Sequence, residues 1–371
     1  MASVDHPRTA TLPWRVKLRH WVSLKLNNFN TLYRLGRLPI TRYFARRDAE
    51  RLFDLVAGFT YSQVLYASVE IGLLHHLQKR PMTAADLVLA CQSNPETIAM
   101  LCRAAQALGL IDKSAEHYTL GRLGAATLAV PGLVEIISHH KHLYADLADP
   151  LALLDGAREA TQMSEFWPYV LSGASRGSED YRKYSALMSA TQFAVARDTV
   201  AQLALGDATR FLDIGGGEGV FARAVKARFS HLDVAYMDLP QVVAGAASSD
   251  VTPIAGNFQE DELPKGYDVI SLVRILFDHQ DATVLALLDK VFHALPIGGQ
   301  LAISEPMRGD ENPTKIGDCY YALYCHAMKT GKARSPSEIK FLLERSGFSQ
   351  ISIQKANSPE NCQVITAFRK K

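Results

Sequence analysis

Between Arg46 and Leu77 the apolar residues Leu52, Phe53, Val56, Phe59, Val64, Ala67 and Ile71 recur mostly three and four positions apart, which predicts amphipathic helices. Two more helices follow. TAADLVLAC starts after Pro81-Met82 with Thr83 as N-cap, and PETIAMLCRAAQALGL starts at Asn94-Pro95-Glu96 and stops at Gly109. LIDKSAEHYTLGRLG then has the pattern of two short strands around a polar turn, so Leu73 to Leu123 predicts the helix, helix, strand, strand order of a winged helix. Residues 133–200 continue mainly helical, with a Gly/Ser-rich break at SGASRGSED, 172–180.

After Leu205 the period changes. RFLDI, LDVAYMDL, VTPIAG, YDVISLVRIL, QLAISEPM, FSQISIQKA and QVITAFR have strand character, and helices are expected at 219–229, near 240–248, at 281–295 and at 336–346. Strands alternating with helices predict an α/β fold: a mostly parallel, doubly wound sheet. The expected organisation is a basic N-terminal arm over 1–45, a mainly helical, winged-helix region over 46–195, and a Rossmann-like domain over 196–371.

Composition narrows the possibilities. The chain has 371 residues, 48% hydrophobic and 21% charged, enough for two cores and unlike a disordered chain. Eleven Lys/Arg against three Asp/Glu in residues 1–51, a surplus of eight within a whole-chain charge of +2, leave the rest at −6. The five cysteines have no C-x-x-C spacing and an odd count, which suits cytoplasmic thiols better than a disulfide framework or a zinc site. Neither a signal peptide nor an apolar run of membrane-spanning length is visible.

FLDIGGGEGV, 211–220, places four glycines in five positions directly after an apolar strand. A glycine loop between a buried strand and a helix N-terminus is where α/β sheets hold nucleotides, because backbone N–H groups lie open there. The dinucleotide fingerprint G-x-G-x-x-G fails, since its third glycine position is Val220. Instead the loop has D-x-G-x-G-x-G (Asp213, Gly215, Gly217, Gly219), which resembles motif I of S-adenosylmethionine-dependent methyltransferases. Nineteen residues beyond Gly219, Asp238-Leu239 ends the second strand, where an acid can take both hydroxyls of a ribose, of this cofactor or equally of NAD. Asn257-Phe258 follows the third strand, where Asn257 can accept from an adenine amine and donate to a ring nitrogen.

The C-terminal half resembles the class I O-methyltransferases of the plant caffeate and animal acetylserotonin type, and the N-terminal half resembles their dimerisation domain. The resemblance implies S-adenosylmethionine as cofactor and a homodimer. It rests on Leu276-Phe277-Asp278-His279 in place of the family's L-H-D-W, on ALPIGGQ (294–300) and on SEP (304–306). The family's general base is the histidine of L-H-D-W, and Phe277 cannot take a proton. A subgroup that lacks this histidine, the bacterial carotenoid methyltransferases acting on hydroxyneurosporene and demethylspheroidene, is similar to this chain in RRDAERLFDLVAGFTYSQVLYA, YSALMSATQ and SLVRILFDHQDATV. That likeness implies methylation of the tertiary C-1 hydroxyl of an acyclic carotenoid, with Met188 and Gln192 against the cofactor and Arg274 on its adenine side.

An aliphatic alcohol must lose its proton as the methyl group arrives, so a base is expected. His279, beside the vacated position, and His326, in the pocket-lining segment YYALYCHAM, are the candidates, with Asp278 orienting the base or starting a helix. HHKH (139–142) is expected to be a solvated or pocket-rim helix face, and the chemistry requires no metal. The arm mixes Trp14, Trp21, Phe29, Tyr33, Tyr43 and Phe44 with Arg and Lys, which suits either an anionic membrane surface or a dimer partner. Two other readings stay open: a C- or O-methyltransferase of a tetrapyrrole or aromatic metabolite, and a winged-helix regulator with a vestigial cofactor pocket. Nucleic-acid binding is not expected, because helix 95–108 offers only Arg103 as a basic contact.

Overall fold

Thr83 starts its helix through a reciprocal cap: its Oγ1 accepts the Asp86 N–H at 3.2 Å while the Asp86 carboxylate accepts the Thr83 N–H at 2.9 Å. Asn94 Oδ1 likewise accepts the Thr97 N–H at 2.8 Å. The helices Ala84–Ala90 and Pro95–Ala107 that these caps begin pack beside a three-stranded antiparallel sheet. Its strands are β1 (Met82–Thr83), β2 (Ile111–Ser114) and β3 (His117–Leu120), in the order β1-β3-β2. The two longer strands are the expected pair. β1 is an addition: two residues long, it is too short to show any alternation in sequence.

The computed structural model describes residues 12–166, 178–244, 250–354 and 362–370. It comprises two units, Met1–Ala67 and Ser68–Lys371. The first contains the helices Trp14–Leu26 and Phe29–Arg37 and most of Pro39–Glu70, and every described residue from Leu12 to Ala67 is exposed or half-buried. The apolar stripe read at Leu52, Phe53, Val56 and Phe59 is therefore solvent-facing in the single chain. The expected break at 172–180 lies mostly outside the described residues, as does the end of the helix near 240–248.

The second unit carries the main sheet. Its strands are β4 (Arg210–Ile214), β5 (Asp233–Asp238), β6 (Thr252–Ala255), β7 (Val269–Val273), β8 (Gln300–Glu305), β9 (Phe348–Ile353) and β10 (Gln363–Arg369), in the order β6-β5-β4-β7-β8-β10-β9. The first five run parallel and β10 enters antiparallel between β8 and β9. Every residue of β7 and β8 is buried, as required of strands covered on both faces. Alternation along each strand feeds two cores. Leu212, Ile214, Ala235, Met237, Ile270 and Leu272 join one, and Phe211, Val234, Tyr236, Val269 and Val273 join the other. Helix Ser178–Gln202 contributes Ala196 and Val200 to the second core.

The strand order reverses between β4 and β7, and the glycine loop leaves β4 at this point. The N–H groups of Gly215 and Gly216 donate to Met237 O at 2.8 and 3.2 Å, drawing the loop over the end of β5. Gly219 has φ +79° and precedes helix Val220–Arg228, and a Cβ there would lie 2.8 Å from the buried ring of Tyr236. Gly217 also has positive φ, +59°, but faces open space.

The Gly219→Ala substitution adds a collision to a left-handed backbone that alone costs about 1–2 kcal/mol, whereas Gly217→Ala carries the backbone cost only. Thermal unfolding should place Gly219→Ala clearly below Gly217→Ala; equal melting temperatures would contradict the geometry.

Candidate active site

Asp238 organises the cofactor side. Its Oδ2 accepts the Gly217 N–H and its Oδ1 the Leu239 N–H, both at 2.7 Å, so one carboxylate ties the loop to the end of β5. Burial raises its pKa while those two N–H groups lower it, and among the described residues no cation pairs with it. A carboxylate in this state, with lone pairs left over at the mouth of a glycine loop, suits a ligand bearing neutral donors such as a vicinal diol. On the next strand Asn257 Oδ1 accepts the Gln259 N–H at 3.0 Å, and Asn257 N–H donates to Asp261 at 2.7 Å. This tight turn presents half-buried Phe258 beside the site.

Asp213 occupies a different place from the one its motif suggested. It is 2% exposed, beneath the loop rather than at its surface, and accepts from Ser271 Oγ at 2.6 Å. Burial pushes its carboxyl up to about 7. It braces β4 against β7 under Gly216.

Arg274, Met188 and Gln192 are brought together. Arg274 has φ +58°, and its guanidinium donates to Thr191 Oγ1 at 2.9 Å and to Gln192 Oε1 at 3.4 Å, with Met188 Sδ at 3.9 Å. Strand end and helix Ser178–Gln202 are joined here, beside the glycine loop, where Ser189 Oγ also donates to Glu218 at 2.8 Å. Gly215 is close as well, since Ile275 fills the space a Cβ would take.

The segment 275–279 is held from both sides. Glu305, 1% exposed at the end of β8, accepts the N–H groups of Ile275 and Leu276 at 2.8 and 2.7 Å and of Phe277 at 3.2 Å. Burial still pushes its pKa up to about 7 against those bonds. Arg334, 2% exposed, donates to Leu276 O at 2.6 Å and His279 O at 2.8 Å, and pairs with Asp281 at 2.7 Å. Sequence reading passed over Arg334 altogether, and GKARSPSE contains no signal that its arginine, two residues before the helix Pro336–Arg345, is buried.

The clamp sets two neighbouring side chains apart. Phe277 packs with Cys325, Ala333 and Tyr321, an apolar filling at the position where the sequence comparison expected a base. Asp278 is half-buried, and its enclosed Oδ1 has no hydrogen-bond partner among the described residues. Burial and the nearby Glu305 hold its pKa well above the carboxylate range, and Arg274 opposes them. Its charge is felt at Tyr324 and Cys325 on helix Ala322–Ala327.

The histidines differ from expectation. His279 sets its ring edge-on to Phe258 at 5.6 Å, on the Asn257 side of the site, and burial and Arg334 lower its pKa to about 4. His326 is exposed, and its Nε2 bonds to Leu153 O at 2.9 Å, which fastens helix Pro150–Leu154. Successive helical residues turn by about 100°, and His326 is exposed where Tyr324 and Cys325 are buried. Within HHKH, expected as a solvated or pocket-rim face, Lys141 is exposed and the three histidines are not. His139 is 5% exposed with Nε2 at 3.1 Å from Tyr324 Oη, and His140 Nε2 is 2.9 Å from Tyr320 Oη. The tyrosines come from a π-helical turn, Lys315–Tyr321, and from the helix after it, so histidines and tyrosines 180 and 185 residues apart form one aromatic cluster. Among the described residues no group of three His, Cys, Asp or Glu is placed to hold a metal ion.

Two family models match the chain: an O-methyltransferase domain over residues 144–349 and an O-methyltransferase dimerisation domain over 53–129. The chain is 42% identical over 344 residues to demethylspheroidene O-methyltransferase of Cereibacter sphaeroides, covering 90% of each, and 24% identical to acetylserotonin O-methyltransferase of Rattus norvegicus, covering 86% and 77%. Its fold is similar to that of human N-acetylserotonin methyltransferase, solved in complex with SAM, with a TM-score of 0.76 at 20% identity over 87% and 98% of the two chains. The glycine loop, the acid at the end of β5 and the clamped turn after β7 thus occur in a chain that matches that domain over more than half its length. The protein belongs to the O-methyltransferase family.

Proposed function

We propose that this enzyme transfers a methyl group from S-adenosylmethionine to the tertiary C-1 hydroxyl of an acyclic hydroxycarotenoid, as a homodimer. The observation that carries this reading is the 42% identity, spread over nine tenths of both chains, to a demethylspheroidene O-methyltransferase. The proposed division of labour is an arm (1–45), a dimerisation and acceptor-lining region (46–195) and a cofactor-binding domain (196–371). The exposed stripe Leu52, Phe53, Val56 and Phe59 supports pairing of two copies, since an apolar helix face without a partner is costly in water. An acceptor of this kind dissolves in lipid, so the enzyme works at the cytoplasmic surface of a membrane.

S-Adenosylmethionine, when bound, supplies an electrophilic methyl group. The chain's part is to hold donor and acceptor in line and to receive the hydroxyl proton. Gly215, Gly217 and Asp238-Leu239 would hold the nucleoside, Asn257-Phe258 its base, and Met188, Gln192 and Arg274 the remaining flank. Asp278 is the proposed proton acceptor. Its support is geometric: a half-buried carboxyl with one enclosed oxygen that is unpartnered among the described residues, next to the tyrosine-lined region, on a turn clamped by Glu305. A carboxylate whose pKa is raised is also a stronger base than an ordinary one. His279 and His326 are then structural, and Asp213 supports the loop from below.

The acceptor assignment is tested by mass spectrometry with methyl-labelled cofactor and three acceptors: a hydroxylated acyclic carotenoid, a tetrapyrrole and a phenol. Label should enter the carotenoid as an ether; label in the phenol alone would defeat the proposal. Asp278→Asn should lower kcat by about 100-fold or more with cofactor affinity retained. Because only the ionised form is a base, wild-type rate should rise with pH through the raised pKa of Asp278, and this limb should vanish in the variant. His279→Ala and His326→Ala should keep most of the rate. Asp238→Ala removes charge-assisted bonds worth about 1.5–3 kcal/mol, so calorimetry should find cofactor binding weakened by roughly 10- to 100-fold.

A further inference from the structure

Between Leu12 and Arg47 the chain has nine Lys/Arg and no Asp/Glu. The segment is helical, as Trp14–Leu26, Phe29–Arg37 and the start of Pro39–Glu70, yet it buries nothing. Trp14, Trp21, Phe29, Ile40, Tyr43 and Phe44 are each at least 57% exposed. Three cations lie over exposed rings: Arg15 on Trp14 at 5.6 Å, Lys25 on Trp21 at 5.7 Å and Arg37 on Tyr33 at 4.9 Å. Such pairs of ring and cation suit a boundary where an apolar phase meets anionic head groups.

We propose that residues 12–47 form a docking surface for an anionic lipid bilayer, lying in the plane of the head groups. The inference rests on the lipid-dissolved acceptor only for its purpose, and the contact itself follows from the arm. Charge selects the occupant. A second copy of the same arm, laid against the first, would bring nine cations against nine, while an anionic bilayer offers a continuous complementary surface. A polyanion such as nucleic acid would satisfy the cations but give the exposed Trp, Ile and Leu side chains no apolar phase. Crossing the bilayer is excluded for the described helices, none of which is long and apolar enough. The arm therefore lies on the membrane, with its rings at the depth of the acyl boundary and its cations among the phosphates.

The test is co-sedimentation of the full chain, without acceptor, with vesicles of phosphatidylglycerol and phosphatidylcholine or of phosphatidylcholine alone. Binding should be about tenfold or more tighter to the anionic vesicles and should be reversed by about 0.5 M NaCl. The variant Arg15→Glu/Lys17→Glu/Arg19→Glu/Lys25→Glu should lose it, and Trp14→Ala/Trp21→Ala should weaken it. Both variants should methylate detergent-dispersed acceptor at the wild-type rate but turn over vesicle-embedded acceptor more slowly. Equal pelleting of wild type and charge-reversed variant overturns the proposal. So does retention of duplex DNA without vesicle binding, or light scattering that shows the variant monomeric when neither protein pellets. A wild type that docks on anionic vesicles yet never methylates a carotenoid would instead reject the acceptor assignment and leave the docking surface standing.

Discussion

The arrangement of this active site depends on one buried carboxylate that accepts three consecutive backbone N–H groups. Glu305 sits at the end of β8 and receives Ile275, Leu276 and Phe277, the residues that leave the neighbouring strand. Buried N–H groups left without acceptors are costly, and hydrogen bonds to an ionised partner contribute about 1.5–3 kcal/mol each. The bonds also oppose the burial that pushes Glu305 toward neutrality. Arg334 completes the enclosure by taking the carbonyls of Leu276 and His279. A five-residue segment built around one 3-10 turn, Leu276–Asp278, is thereby fixed by side chains as well as by its own backbone bonds, and the placement of Arg274 before it and Asp278 within it follows.

The cofactor side uses the same device more loosely. Asp238 also collects backbone N–H groups, those of Gly217 and Leu239, but it lies at the mouth of the sheet and keeps acceptor capacity for something else. The difference between the two carboxylates is their surroundings. Glu305 is closed in by β8 and Arg334, which leaves it a structural role. Asp238 is bonded to the loop through Gly217, and the buried Tyr236 ring lies beneath Gly219. Asp213 shows the opposite limit, a buried motif residue whose carboxyl accepts from Ser271 and lies against the underside of the loop at Gly216.

Much of the framework was legible because it follows from local rules. All seven strands of the main sheet were visible as short apolar runs, and the helices at Thr83 and Asn94 began at their caps. What could not be read depended on contacts between distant segments. The partnership of His139 with Tyr324 joins positions 185 residues apart, and no pattern within HHKH distinguishes a buried imidazole from a solvated one. The placement of His326 was illegible for a related reason: its neighbours Tyr324 and Cys325 are buried, while its own ring is exposed and bonds to Leu153 O. Arg334 stands in a polar stretch whose burial is decided by segment 275–279 folding over it. The apolar positions at Leu52 to Phe59 were legible as a stripe, but the single chain gives that stripe nothing to cover it.

The grip on the 275–279 turn engages main-chain atoms only. Side-chain identity at 277 is therefore irrelevant to the scaffold, provided the replacement fits among Cys325, Ala333 and Tyr321. With Asp278 as the proposed proton acceptor, a fold built in this way lets that group be exchanged between adjacent positions while the architecture around it stays constant. Descendants of one ancestral protein could diverge from phenols to aliphatic alcohols by altering a single ring, with the methyl-donor machinery inherited intact.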